Sequence, residues 1–197
     1  NLPLVANVRV LPSNPMYSDI LECDYDFVDP DNDPDHSTVV WYVNGYIVED
    51  QVALGAGYSH HCSVDVDGKA NCWGSDTMGQ ATVPSTEFKE IVGAEMYSCG
   101  LTTAGNLSCW GFNYGGTLNP PTGVFKAVAL GVNHGCALDN NNQIQCWGSD
   151  TYSQVSHGNA DTGTYVQITA RGNHTCARTV AGDVSCWGEN THGQNNV

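Results

Sequence analysis

Eight cysteines fall into four pairs, each ten positions apart: Cys62 and Cys72, Cys99 and Cys109, Cys136 and Cys146, Cys176 and Cys186. The second of each pair is followed at once by Trp-Gly, at Trp73, Trp110, Trp147 and Trp187. Thiols so placed can oxidise to disulfides or, as thiolates, hold zinc. His60, His134 and His174, two residues before a cysteine, would serve a zinc site. Tyr97 takes that place in the second pair, where a ligand set tolerates a phenol poorly, so structural disulfides are the expected chemistry. The histidine recurs at every other copy instead of converging on one place, which suits a packed, hydrogen-bonded residue between units better than a catalytic base.

The elements that must position these residues follow from the repeat. The first cysteines at 62, 99, 136 and 176 set a period of 37 to 40 residues, the mark of a propeller or solenoid whose units bury their apolar faces against neighbours. Each unit begins near Val52, Lys89, Lys126 or Val166, with a strand whose expected inward residue is Leu54, Ile91, Val128 or Ile168. The ten-residue interval then predicts a three-residue hairpin loop with a left-handed last position, held by Gly68, Gly105, Asn142 and Gly182. Asp76, Asn113, Asp150 and Asn190, followed by Gln80, Thr117, Gln154 and Gln194, read as turn residues that satisfy their own backbone.

The run Gly-Asn-His-Thr-Cys-Ala, then Gly-Asp-Val-Ser-Cys-Trp-Gly-Glu-Asn-Thr-His-Gly-Gln, at 172–194, resembles the regulator of chromosome condensation repeat. It is most similar to a secreted, disulfide-bearing bacterial branch, to which a β-lactamase-inhibitor propeller is related in fold. The resemblance covers residues 52–197, about three quarters of the chain, and implies one β-propeller blade per repeat. Rings of that family usually have seven blades, so four blades imply an open arc or part of a ring.

Composition bounds the function. Six Lys and Arg against 21 Asp and Glu give a net charge of -15, which repels phosphate backbones and argues against nucleic-acid partners and the nuclear role of the family's namesake. Paired cysteines place the protein outside the cell or on its surface, and Asn1 is expected to follow a removed signal sequence. No apolar run approaches the roughly 20 residues that span a bilayer. No nucleophile–base signature, phosphate loop or zinc protease helix is present, and a non-enzymatic protein that requires no cofactor is expected.

Residues 1–51 hold no repeat and form a separate expected domain before the propeller-like domain at 52–197. Leu2, Leu4, Ala6, Val8 and Val10 alternate as in a strand with one buried face, and Ile20–Phe27 and Thr38–Val43 read as two more strands. Cys23 and the later Trp41, with Asp29 to Asp35 between them, resemble part of a bacterial immunoglobulin-like or cadherin-like β-sandwich. The fold class is therefore all-β, with a partial sandwich ahead of the blades. Asp29, Asp31, Asp33 and Asp35 offer oxygen ligands for calcium or form a solvated acidic loop. Cys23 is either an intermolecular disulfide partner or a buried thiol.

An open arc and a partial sandwich both leave strand edges, which recruit other strands. Copies could join head to tail into an extracellular filament, with the Leu2–Val10 strand added to a neighbour's edge. The alternative is a module of a larger surface protein, binding a protein or glycan through loops where Tyr58, Met96, Tyr97, Phe112, Tyr114 and Tyr152 offer anchors. Aromatics beside turns more often pack between blades. Asn106 and Asn173 stand in glycosylation triplets.

Overall fold

A computed structural model describes the backbone of four strands within residues 4–48, and residues 53–160 and 162–197 in full. The four strands are β1 (Leu4–Leu11), β2 (Glu22–Val28), β3 (Trp41–Val43) and β4 (Tyr46–Val48). Strands β1 and β2 pair antiparallel, with Cys23 opposite Val10, and β3 pairs with β4 as a short hairpin. Chain contacts group Asn1–Val40 into one unit and Trp41–Val197 into another. The expected domain boundary at 51/52, and Asp29, Asp31, Asp33 and Asp35, lie outside the described residues.

Twelve strands then form four sheets of three. Blade 1 is β5 (Ala53–Ala56), β6 (His60–Val64) and β7 (Ala70–Gly74), and blade 2 is β8 (Phe88–Gly93), β9 (Tyr97–Thr102) and β10 (Leu107–Gly111). Blade 3 is β11 (Phe125–Leu130), β12 (His134–Asp139) and β13 (Ile144–Gly148), followed by helix α1 (Ser156–Ala160). Blade 4 is β14 (Tyr165–Arg171), β15 (His174–Thr179) and β16 (Val184–Gly188). Each is an antiparallel meander, so neighbouring strands need only short turns.

The hairpin register is the one that the cysteine spacing demands. Cys62 lies opposite Cys72, and Val64 opposite Ala70, which leaves Val66, Asp67 and Gly68 as the loop. Gly68 donates its N–H to Asp65 O, and Gly68, Gly105, Asn142 and Gly182 all have positive φ, at 79°, 87°, 65° and 98°. Facing cysteines close four disulfides, with Cα atoms 4.0 to 4.1 Å apart. All eight thiols are thereby withdrawn from metal binding.

The core sits between blades. Cys62 and Val64 of blade 1 pack with Phe88, Ile91 and Trp110 of blade 2. Cys99 and Leu101 meet Phe125, Val128 and Trp147, and Cys136, Leu138 and Ile144 meet Tyr165, Ala177 and Trp187. Each junction thus joins a trailing face, built on the disulfide and an aliphatic residue, to a leading face, built on the Trp of Cys-Trp-Gly and the inward residue of the next blade's first strand. Leu54 departs from the expected inward placement, being 74% exposed, because no described blade precedes blade 1. Its equivalents Ile91 and Val128 are buried, and Ile168 is partly buried.

Candidate functional site

Two surfaces of the repeat array carry side chains that the fold leaves unused: its end faces and one loop rim. Both depend on the chemistry of the three internal junctions. At each junction the leading-face indole donates to a backbone carbonyl of the preceding blade: Trp110 Nε1 to Gln80 O at 3.0 Å, Trp147 Nε1 to Thr117 O at 2.9 Å, Trp187 Nε1 to Gln154 O at 3.0 Å. The start of each following blade donates to the left-handed hairpin residue, as Phe88 N to Gly68 O, Phe125 N to Gly105 O and Tyr165 N to Asn142 O.

The recurring histidine is a junction residue. His60 Nε2 lies 2.7 Å from Ser98 Oγ, and Ser98 donates onward to Gln80 O, so the hydroxyl accepts from the imidazole N–H. His134 Nε2 lies 2.8 Å from Thr175 Oγ1 across the blade 3–blade 4 junction. Both rings are buried, and desolvation pulls His134 down to about 4, with His174 adding to the effect and Asp150 opposing it. His60 is lowered for the same first reason. Tyr97 solves the middle junction differently: its hydroxyl is within 3.1 Å of Gly131 O and 2.6 Å of His134 O. Gly135 stands there in place of Ser98 or Thr175, and a Cβ on it would lie 2.4 Å from the Trp147 ring. Tyr97 is therefore a buried packing residue and not the exposed anchor that the sequence suggested.

In the loop after each Cys-Trp-Gly a short polar side chain accepts from the loop's own backbone. Asp76 Oδ1 accepts from Ala81 N and Asp150 Oδ1 from Val155 N and Ser156 N, while Asn190 Oδ1 accepts from Asn195 N. Gln80, Gln154 and Gln194 accept from the backbone N–H two residues before them. The Thr82 hydroxyl, foremost, and the Ala81 N–H hold the Asp76 carboxyl below its usual range.

Backbone bonds tie this loop to the turn between the first two strands, as Ser75 N to Ser59 O and Phe112 N to Met96 O. One rim of the array therefore gathers the exposed side chains Tyr58, Met78, Met96, Phe112, Tyr114 and Tyr152. Phe112, Tyr114 and Tyr152 are 41%, 52% and 45% exposed, so they do not pack between blades. Glu95, Met96, Tyr97, Phe112, Tyr114, Thr117, Val132 and Asn133 line a cleft of about 170 Å³ at the blade 2–blade 3 junction.

The end faces are the other open surface. Trp73 is 48% exposed, whereas Trp110, Trp147 and Trp187 are 7%, 6% and 2% exposed. His61 stacks on Trp73 with ring centroids 6.0 Å apart. On the trailing side of blade 4, Val184 is exposed, His174 and Cys176 are only partly buried, and Arg178 replaces the aliphatic Val64, Leu101 and Leu138.

Of the glycosylation candidates, Asn106 is exposed, while Asn173 is partly buried and its Nδ2 donates to Glu189 Oε2 at 2.9 Å. Among the described residues no three His, Cys, Asp or Glu side chains cluster as metal ligands, and no helix is long and apolar enough to cross a membrane.

Comparison with known proteins agrees with this architecture. The model of the regulator of chromosome condensation (RCC1) repeat matches residues 51–80, 125–154 and 165–194, so three of the four units are similar to RCC1 repeats. The fold is similar to the ectodomain of the Physcomitrella patens receptor kinase CR4, at TM-score 0.61 and 23% identity, covering 68% of this chain and 40% of that one. It is similar to the ectodomain of the Arabidopsis thaliana receptor kinase ACR4, at TM-score 0.60 and 22% identity, covering 68% and 49%. Yeast RCC1 bound to Kap60 matches at TM-score 0.61 and 18% identity, covering 70% and 43%. The chain thus spans less than half the length of these structures. No curated protein sequence matches it.

Proposed function

We propose that this chain is a secreted or cell-surface, non-enzymatic interaction protein whose blade array is completed by further blades of the same kind, contributed head to tail by neighbouring copies. The observation that carries the reading is the contrast between exposed Leu54 and Trp73 and their buried equivalents in the following blades. At the three internal junctions leading faces of that composition pack on trailing blade faces, and a head-to-tail contact that does not close makes a filament. The four disulfides and the two receptor-kinase ectodomain likenesses support an extracellular setting. Strand addition by Leu2, Leu4, Ala6, Val8 and Val10 is a second contact in this reading, made along the edge of β1 opposite β2, which is unpaired among the described residues. Cys23 would then serve as an intermolecular link.

The test is electron microscopy of the native protein beside a Leu54→Asp/Trp73→Asp variant. Filaments in the first and isolated particles in the second are expected; isolated particles in both overturn the reading. Deletion of residues 1–10 separates strand addition from face packing, since only the former needs that segment.

A second reading is favoured by the exposure of Phe112, Tyr114 and Tyr152 on one rim: a module of a larger surface protein that binds a protein or glycan there. Yeast RCC1 was crystallised with Kap60 and characterised for binding to Gsp1p and histones, which supports a protein partner for such arrays.

A further inference from the structure

We infer that the cleft at the blade 2–blade 3 junction is a subsite for one arginine side chain of an extended protein segment, independent of the end faces. Size sets the first limit. A cleft of about 170 Å³ falls below the roughly 300–1,000 Å³ of pockets that enclose a whole small molecule, so its guest is a single side chain.

The lining then selects the chemistry. Tyr97 and Thr117 form a buried floor whose hydroxyls are already committed: Tyr97 to the carbonyls of Gly131 and His134, Thr117 as donor to Phe112 O and acceptor from Tyr114 N. Phe112 and Tyr114 form one wall, their rings stacked at 6.4 Å with 25° between planes. Met96 and Val132 add apolar surface. Glu95 is the sole charged residue in the lining, and among the described residues it makes no ion pair or side-chain hydrogen bond. Aromatic faces attract a cation, and a carboxylate beside them completes its neutralisation. A planar guanidinium both stacks on a ring and forks onto a carboxylate, which an ammonium does not, so arginine fits better than lysine.

Blade 2 also breaks the repeat's own rules at these places. Tyr97 replaces the histidine of the other three blades, Phe112 stands where they have Ser75, Ser149 and Glu189, and Thr117 where they have glutamine. The RCC1 repeat model matches the other three units but not this one. Local departures from a regular pattern concentrate where a site has been built.

The experiment is an NMR titration of the oxidised, isotope-labelled full chain with the peptide acetyl-Gly-Gly-Arg-Gly-Gly-amide at about 150 mM salt, where long-range attraction by the acidic chain is largely screened. Amide shifts confined to Glu95, Met96 and 112–117 are expected. Glu95→Gln and Phe112→Ala should each weaken the peptide about fivefold or more, whereas Asp67→Asn, on a hairpin turn at the other end of blade 1, should leave it unchanged. Both tested residues are at the surface, and an unchanged spectrum outside the cleft verifies folding. Equal weakening by Asp67→Asn, shifts spread over the acidic surface, or equal binding of the lysine or glutamine peptide would each overturn the assignment.

Discussion

The leading faces of blade 1 and blade 4 are written with residues of the same types and meet opposite fates. Each offers an indole after the second cysteine and an aliphatic residue on its first strand, yet Trp187 is 2% exposed and Trp73 is 48% exposed. The difference lies in the neighbour: blade 3 covers Trp187 with Cys136, Leu138 and Ile144 and supplies Gln154 O for its N–H, while no described blade covers Trp73. A blade of this type is thus half of an interface on each side, and stability is a property of junctions more than of units.

The most forceful way to break the comparison is to truncate both indoles. Trp187→Ala should cost about 3–5 kcal/mol, through lost burial, a cavity and an unpaired Gln154 carbonyl. In the dissociated monomer, Trp73→Ala should stay within about 1 kcal/mol, losing little beyond its stacking on His61. Chemical denaturation of the oxidised protein measures both. Equal costs would mean that blade 1's leading face is covered in solution, and their dependence on protein concentration would show whether another copy covers it.

Protonation separates junctions from ends next. His134 has a folded pKa of about 4 against an ordinary 6.5, so the unfolded chain takes up its proton first. The neutral ring's contribution is fully present above pH 6.5 and drains away as pH falls towards 4, by up to about 3 kcal/mol. His60, lowered in the same direction, adds to the loss. Asp76, Asp150 and Glu189, all held below their usual range, add a loss of the same sign only at the acid end of this window, where the unfolded chain's carboxylates begin to protonate, and Glu90, raised by burial, opposes it. Unfolding free energy followed from pH 7 to 4 should fall, and His134→Asn should flatten the curve. An unchanged slope in that variant would remove the junction histidine as the cause.

Disulfides sharpen the same contrast. Replacing Cys136 and Cys146 together by alanine should cost about 2–3 kcal/mol from loop closure, and the equivalent Cys176/Cys186 replacement somewhat less, since only the former is buried against a following blade. For the same reason, limited reduction of the dissociated monomer, followed by alkylation and mass analysis, should open Cys176–Cys186 before Cys136–Cys146. The reverse order would place a cover over blade 4.

Much of this was legible in the chain because it is local. Ten-residue cysteine spacing specifies a hairpin register, and Gly68, Gly105, Asn142 and Gly182 specify its turn, so blade number, pairing and left-handed positions follow without any long-range information. The histidine's packed role was also readable, since a residue repeated in three of the four units serves the repeat. What could not be read was which side of a blade meets a neighbour. Leu54 looks like Ile91 and Val128 in sequence, and only the absence of a described preceding blade leaves it exposed. The cleft was equally hidden: Tyr97 and Phe112 are both aromatic residues near a turn, but one is floor and the other wall. The signal that could have found it was blade 2's joint departure from the pattern at Tyr97, Phe112 and Thr117.

The smallest expected effect tests the hairpins against one another. Asn142 is the one loop residue of the four that is not glycine, and it holds φ at 65°, a conformation glycine adopts without cost. Asn142→Gly relieves that strain but removes the side-chain oxygen that accepts from Lys126 Nζ at the start of β11. That contact is exposed and worth little, and glycine also gives the unfolded chain more freedom to lose. The terms oppose each other, so the net change should lie within about 0.5 kcal/mol. Gly68→Asn should instead be clearly destabilising, because a Cβ there would stand 3.1 Å from Glu87 Cβ and 3.2 Å from Phe88 O, at the carbonyl–amide contact that docks blade 2. Equal, small effects from the two substitutions would show that the hairpin tip is a turn and nothing more; the expected inequality makes it part of the junction.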